Sequence, residues 1–203
     1  MNEEKVGIKK EIDETLQDDN FKPALFKMLG YEGGYTESDG TPTNYGVTQT
    51  TLDSYLKQKG EKTKSVKELT ASDVVNFYRD SFWKGSRANE MEEPLRTIYF
   101  DGSVNMGVPN AVKQLQNIVG TKSDGKYGKK TEKAVSEYIE KHGVEDLAGK
   151  VVDKRKDHYD NLVTKDSKKY GKFYQGWLNR INKLRGEYIG DSVSYQPKTD
   201  KPK

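Results

Sequence analysis

Cysteine is absent from the 203-residue chain, which excludes a disulfide framework and a thiolate-held zinc ion. Histidine is scarce. His142 and His158 stand sixteen positions apart, with no cysteine to complete a zinc site, and neither adjoins a nucleophile-elbow pattern. A zinc-dependent amidase or peptidase and a Ser–His–Asp hydrolase are therefore disfavoured, and neither metal nor cofactor is expected. No glycine-rich phosphate cradle occurs. No apolar run approaches the length of a bilayer span, so stable membrane insertion is not expected. Met1-Asn2-Glu3-Glu4-Lys5 lacks the basic-then-apolar pattern of an export signal, so synthesis in the cytoplasm without one is expected. A net charge of +3 is too slight to argue for a nucleic-acid partner.

What the chain does contain is lean but globular. Hydrophobic residues make up 32% and charged residues 33%, yet tyrosine, phenylalanine and tryptophan supply bulky core material. The length suffices for one large domain or two small ones with a sizeable core. Ile8, Ile12 and Leu16 recur at four-residue spacing, so residues 1–20 are expected to form an amphipathic helical arm, serving packing or a partner contact. Ala24, Leu25, Met28 and Leu29 then follow the helical period, with Pro23 in the first turn and Asn20 or Asp19 as the cap. Residues 35–47 are rich in Gly, Thr, Asn and Pro and predict an irregular loop or short hairpin.

Further helices are expected over residues 48–59, after the Thr70–Asp73 capping box, from Pro94, from Pro109 to Gly120, after Thr131, over 145–163, and around Phe173 to Tyr188. Residues 190–203 lack a core pattern and are expected to be disordered. No linker divides the chain. The reading is an all-α fold of about eight helices in one domain over residues 21–189, with a short irregular or hairpin insert.

Glu32 stands out. It closes an apolar helix directly before Gly33 and Gly34. A helix C-terminus disfavours negative charge by roughly 0.3–1 kcal/mol, and apolar neighbours favour a protonated carboxyl. A carboxyl that keeps its proton near neutral pH is what a general acid requires.

Glu32-Gly33-Gly34-Tyr35, Asp39-Gly40 and Thr43-Asn44-Tyr45-Gly46-Val47-Thr48 together resemble the signature of the N-acetylmuramidases of glycoside hydrolase family 108. The run Phe77 to Trp83, Asp101-x-x-Val104-Asn105-x-Gly107 and Gly176-Trp177-x-x-Arg180 resemble later elements of the same family, so the resemblance covers roughly residues 21–188. Leu115-Gln116, Asp124-Gly125, Gly128 and Thr131 resemble peptidoglycan-binding modules over residues 109–188; read physically, those residues make a tight turn before a capped helix. The chain departs from the family in the loop between Tyr35 and Asn44, which is about three residues shorter, with Asp39-Gly40-Thr41-Pro42 in place of Asp-Pro-Gly-Gly.

The resemblance implies a lysozyme-like hydrolase of bacterial peptidoglycan, of the phage-endolysin type, cleaving the β-1,4 bond between N-acetylmuramic acid and N-acetylglucosamine with Glu32 as catalytic acid. Asp39 is the first candidate for a second carboxylate, with Glu37 and Asp101 as competitors. Thr48 either holds the attacking water or caps the following helix. Tyr35, Asn44, Tyr45, Asp101 and Asn105 are candidate substrate contacts, whereas Trp83 and Trp177 read as core. Lys122 to Lys133 reads as a solvated face. A monomer is expected, reaching the wall through a holin lesion, a phage particle or a secretion device. Two other readings stay open: a lytic transglycosylase, and a non-catalytic wall-binding or virion protein with the same fold.

Overall fold

The computed structural model describes residues 10–31, 35–38, 40–190 and 194–197. Among these the architecture is mainly helical and lysozyme-like, as expected, with one small antiparallel sheet after the second helix. The chain gathers into two compact units that meet at Asn89 and Glu90, where the sequence predicts one domain over 21–189. The change of unit falls in a 3-10 turn, Ala88–Glu90, rather than in a Gly- or Pro-rich linker, which is why composition gives no sign of it.

In the first unit, helical residues 10–15 (α1) bury Ile12, and Leu16 just beyond is buried as well. Helix α2 (Phe21–Tyr31) follows. Beside the expected Asn20 or Asp19, Asp18 supplies a capping carboxylate. The Asp18 carboxylate accepts from the Phe21 N–H at 2.9 Å, three residues on, the reach that capping favours. Strands β1 (Thr36–Ser38), β2 (Thr41–Asn44) and β3 (Val47–Thr48) form the sheet in the order β1-β2-β3. Helix α3 (Gln49–Lys59) then ends at Gly60, whose φ of 71° is the left-handed conformation a helix stop uses.

Helix α4 (Ala71–Tyr78) opens on the expected capping box, with the Asp73 N–H donating to Thr70 Oγ1 and the Thr70 N–H to Asp73 Oδ2. It runs on as a π turn over Arg79–Lys84. Trp83 in that turn is buried, its ring 5.1 Å from Phe21 of α2. The reading of Trp83 as core fits this placement.

The second unit holds α5 (Leu95–Met106), α6 (Val108–Ile118), α7 (Lys129–His142), α8 (Val144–Lys165) and α9 (Ser167–Tyr188). Helix α5 is buried on nearly every side from Leu95 to Ser103, so it serves as the axis against which α6 and α8 pack. Gly102 faces α8, where a Cβ would sit 3.4 Å from Arg155 Cδ, at the edge of ordinary contact.

Residues 194–197 differ from the expectation of a disordered tail. Tyr195 is buried, its backbone pairs with the Asn182 amide at 2.7 and 2.9 Å, and its hydroxyl accepts from Arg185 Nη1 at 2.6 Å and donates to Asp153. One aromatic residue with charged partners anchors a segment whose neighbours have no apolar period. Hydrogen bonds to charged groups contribute about 1.5–3 kcal/mol, so Tyr195→Phe is expected to lower stability by roughly 1–3 kcal/mol in a chemical-denaturation titration. A midpoint equal to wild type would mean that the clasp contributes nothing.

Candidate active site

The first unit positions the candidate site through α2 and the sheet that follows it. Helix α2 ends at Tyr31, directly before Glu32 in sequence. Glu32 and Asp39, the expected acid and second carboxylate, lie outside the described residues. What surrounds them in sequence is a tight antiparallel ladder, with Glu37 opposite Pro42 and Thr43 opposite Thr48.

Tyr35 is half-buried, and its hydroxyl donates to Glu37 Oε2 at 2.9 Å. Lys67 lies over the Tyr35 ring at 4.7 Å. These two residues are thus the expected polar group and the competing carboxylate brought together, on the exposed side of β1. Lys67 was not predicted, and nothing in its local sequence distinguishes it from the other lysines.

The remaining first-unit candidates are engaged in holding the sheet. Asn44 is buried and donates through Nδ2 to the Val66 carbonyl at 2.9 Å. Tyr45 is buried with a φ of 49°, and its carbonyl accepts from the Tyr78 hydroxyl at 2.6 Å. Such a conformation is uncommon for a residue with a Cβ and is held here by the packing around it. Gly46 follows at φ 77°, completing the turn that sends the chain from β2 to β3.

Thr48 takes the capping alternative. Its Oγ1 accepts from the Thr51 N–H at 3.2 Å and shares a hydrogen bond with Thr51 Oγ1 at 2.8 Å. Gln49, which sequence reasoning passed over, fastens α3 to the Val66 turn by donating to the Lys64 carbonyl and accepting from the Val66 N–H. Its partners lie fifteen and seventeen positions away, beyond the reach of any local pattern.

Asp101 and Asn105 belong to the second unit. Asp101 is 2% exposed. Its Oδ1 accepts from Arg155 Nη2 at 2.7 Å, and its Oδ2 accepts from Arg180 Nε and Nη2 at 2.9 and 2.7 Å. Burial alone would raise its pKa, but the two guanidinium groups outweigh that and hold the carboxyl below the usual carboxylate range. Both oxygens are occupied within the protein, so the expectation that Asp101 contacts substrate meets a residue placed to join α5, α8 and α9. Asn105 is exposed and donates to the Asp101 carbonyl at 3.1 Å.

No group of three metal-ligating side chains occurs among the described residues. Burial, with Arg155 nearby, pushes the His158 pKa down. No helix among the described residues is long and apolar enough to cross a membrane.

Residues 25–107 match the family described as Glycosyl hydrolase 108. Over these residues the chain is similar to glycosyl hydrolase family 108. Residues 110–182 match a second family, described as Predicted Peptidoglycan domain. The two together identify a glycoside hydrolase acting on peptidoglycan. Among solved structures, that of Brucella abortus SagA is similar, at 27% identity and a TM-score of 0.69, over 85% of this chain and 97% of that one. No curated protein matches the chain. The sequence families meet between residues 107 and 110, whereas the compact units meet at Asn89. Helix α5 therefore belongs to the glycosyl hydrolase 108 sequence but packs in the second unit.

Proposed function

We propose that the chain cleaves the β-1,4 bond between N-acetylmuramic acid and N-acetylglucosamine, and so lyses the bacterial wall, with Glu32 as general acid. The observation that carries this reading is the place of Glu32 within the glycosyl hydrolase 108 match, one position beyond α2 and just before the sheet. In the reaction Glu32 gives its proton to the glycosidic oxygen as the bond to the anomeric carbon breaks. Positive charge then develops on the sugar ring and needs a carboxylate, or a water that one activates. Asp39 is assigned that role. Glu37, engaged by the Tyr35 hydroxyl, is the second choice.

Digestion of purified peptidoglycan, followed by mass analysis of the soluble fragments, tests the reading. Fragments ending in reducing muramic acid are expected. Anhydro-muramic ends would instead mean that the muramyl 6-hydroxyl closes onto the anomeric carbon without water. Absence of fragments would leave a wall-binding protein.

A further inference from the structure

One three-residue turn is pinned to the sheet by side chains from two other elements. The 3-10 turn Val66–Glu68 lies against β2. Asn44 Nδ2 donates to the Val66 carbonyl at 2.9 Å, and the Val66 N–H donates to Gln49 Oε1 at 2.9 Å. Just ahead of the turn, Gln49 Nε2 donates to the Lys64 carbonyl at 2.8 Å. The turn also closes on itself, with the Ser65 N–H donating to Glu68 Oε2 and the Lys67 N–H to Ser65 Oγ, each at 3.2 Å. Val66 is fully buried, and the Glu68 side chain folds back onto Ser65. That leaves Lys67 as the residue the turn presents outward.

Lys67 meets Tyr35. Its Nζ stands 4.7 Å from the ring centroid, while the hydroxyl of that ring donates to Glu37 Oε2 at 2.9 Å. Cation and carboxylate thus engage one tyrosine without pairing with each other, and neither has an ion-pair partner among the described residues. Glu37 Oε1 has no hydrogen-bond partner among them either, and the residue is exposed. An exposed cation–π contact gains about as little as ordering a lysine side chain costs. The pinned turn therefore delivers a cation to a ring at no gain in stability. Tyr35 stands three positions after Glu32, and three residues of chain span at most about 11 Å.

We propose that Lys67 is a positioning residue for glycan binding beside Glu32. It fixes the Tyr35 ring and, through the hydroxyl of that ring, the Glu37 carboxylate, so that Oε1 accepts from a hydroxyl or acetamido N–H of the sugar. A glycan strand carries such donors along its length, and a carboxylate oxygen forms the stronger hydrogen bonds with them. Lys67 itself touches no sugar. The inference rests on the chain cleaving the glycan of peptidoglycan through Glu32.

Steady-state kinetics on soluble peptidoglycan fragments tests this, with the melting temperature followed in parallel. Lys67→Met keeps the length and the apolar stem but not the charge, and Lys67→Arg keeps a cation that stacks well on an aromatic face. Lys67→Met is expected to raise KM about five- to tenfold, with kcat within about twofold of wild type and an unchanged melt. Lys67→Arg should bring KM back to within about twofold of wild type. Tyr35→Phe keeps the ring, removes the hydroxyl and should raise KM by at least as much as Lys67→Met. The double variant Lys67→Met/Tyr35→Phe should be no worse than Tyr35→Phe alone, because the lysine acts through that hydroxyl. Wild-type KM in Lys67→Met would overturn the inference, as would additive losses in the double variant. Failure of arginine to restore KM would also overturn it, by making the amine itself a substrate contact. A fall in kcat at constant KM would do the same, by placing Lys67 in the chemical step. Wild type that releases no fragments rejects the hydrolase and this inference together, whereas cleavage by Lys67→Met at wild-type KM rejects the inference alone.

Discussion

Glu32→Gln is expected to lower the clearing of peptidoglycan suspensions by about 10²–10⁴-fold, the usual contribution of general acid catalysis. Glutamine keeps the shape and the hydrogen-bonding reach of the side chain but carries no transferable proton. The leaving oxygen must then depart as an alkoxide, and that charge makes up most of the barrier the acid removes. The melting temperature of the variant should equal or exceed that of wild type, since a carboxylate at the end of an apolar helix is kept for chemistry at some cost in stability. Release of reducing ends, measured alongside the melt, separates loss of chemistry from loss of fold. More than about a tenth of wild-type activity in the Gln variant would remove Glu32 from the mechanism.

Asp101→Asn is expected to act on stability rather than on chemistry. The wild-type carboxylate is buried between Arg155, which is fully buried, and Arg180, and it pairs with both. The amide has the same shape but no charge, so the two guanidinium groups would lose the carboxylate that neutralises them in a weakly polarisable interior. Breaking a buried pair from one side costs about 3–5 kcal/mol, which for a chain of this size is roughly 10 °C in melting temperature.

The pH dependence follows from the direction of the Asp101 shift. Its carboxyl is held below the usual range in the folded chain, so the stability it contributes is present above the unfolded value of about 3.9 and is lost as pH falls through the lower folded value. Wild type should therefore lose stability on acidification below about pH 4, and Asp101→Asn should show a flatter acid limb. Denaturant titrations of both proteins at neutral and acid pH make the comparison. A variant within about 1 kcal/mol of wild type at neutral pH would mean that the ion pairs contribute little net stability. A variant that melts normally yet fails to cleave would return Asp101 to the list of reacting carboxylates.

Much of the chain was legible because its signals are local. The capping box of Thr70 and Asp73 spans four residues, and the helix stop at Gly60 and the Asn44–Val47 turn depend on which residues tolerate a given φ. Helical periodicity likewise marked Ala24, Leu25, Met28 and Leu29 as one buried face, and all four are buried. The motif around Glu32 was legible for the same reason, being nearly continuous in sequence. Asp101 could be recognised as part of a motif but not understood, because its partners lie 54 and 79 positions away. Asn44 was similar, its partner Val66 being 22 positions on. Neither helical period nor capping chemistry specifies which helices will meet, and a buried charge acquires its role from that meeting. The same holds for Tyr195, whose anchors Asp153, Asn182 and Arg185 come from two helices. It holds too for Gln116, whose amide reaches Asp124, Lys126 and Thr131 across the turn between α6 and α7. Local sequence thus determined the helices and many of their ends. Tertiary packing decided which polar residues became internal ties, because that outcome depends on distances between elements that no local pattern encodes.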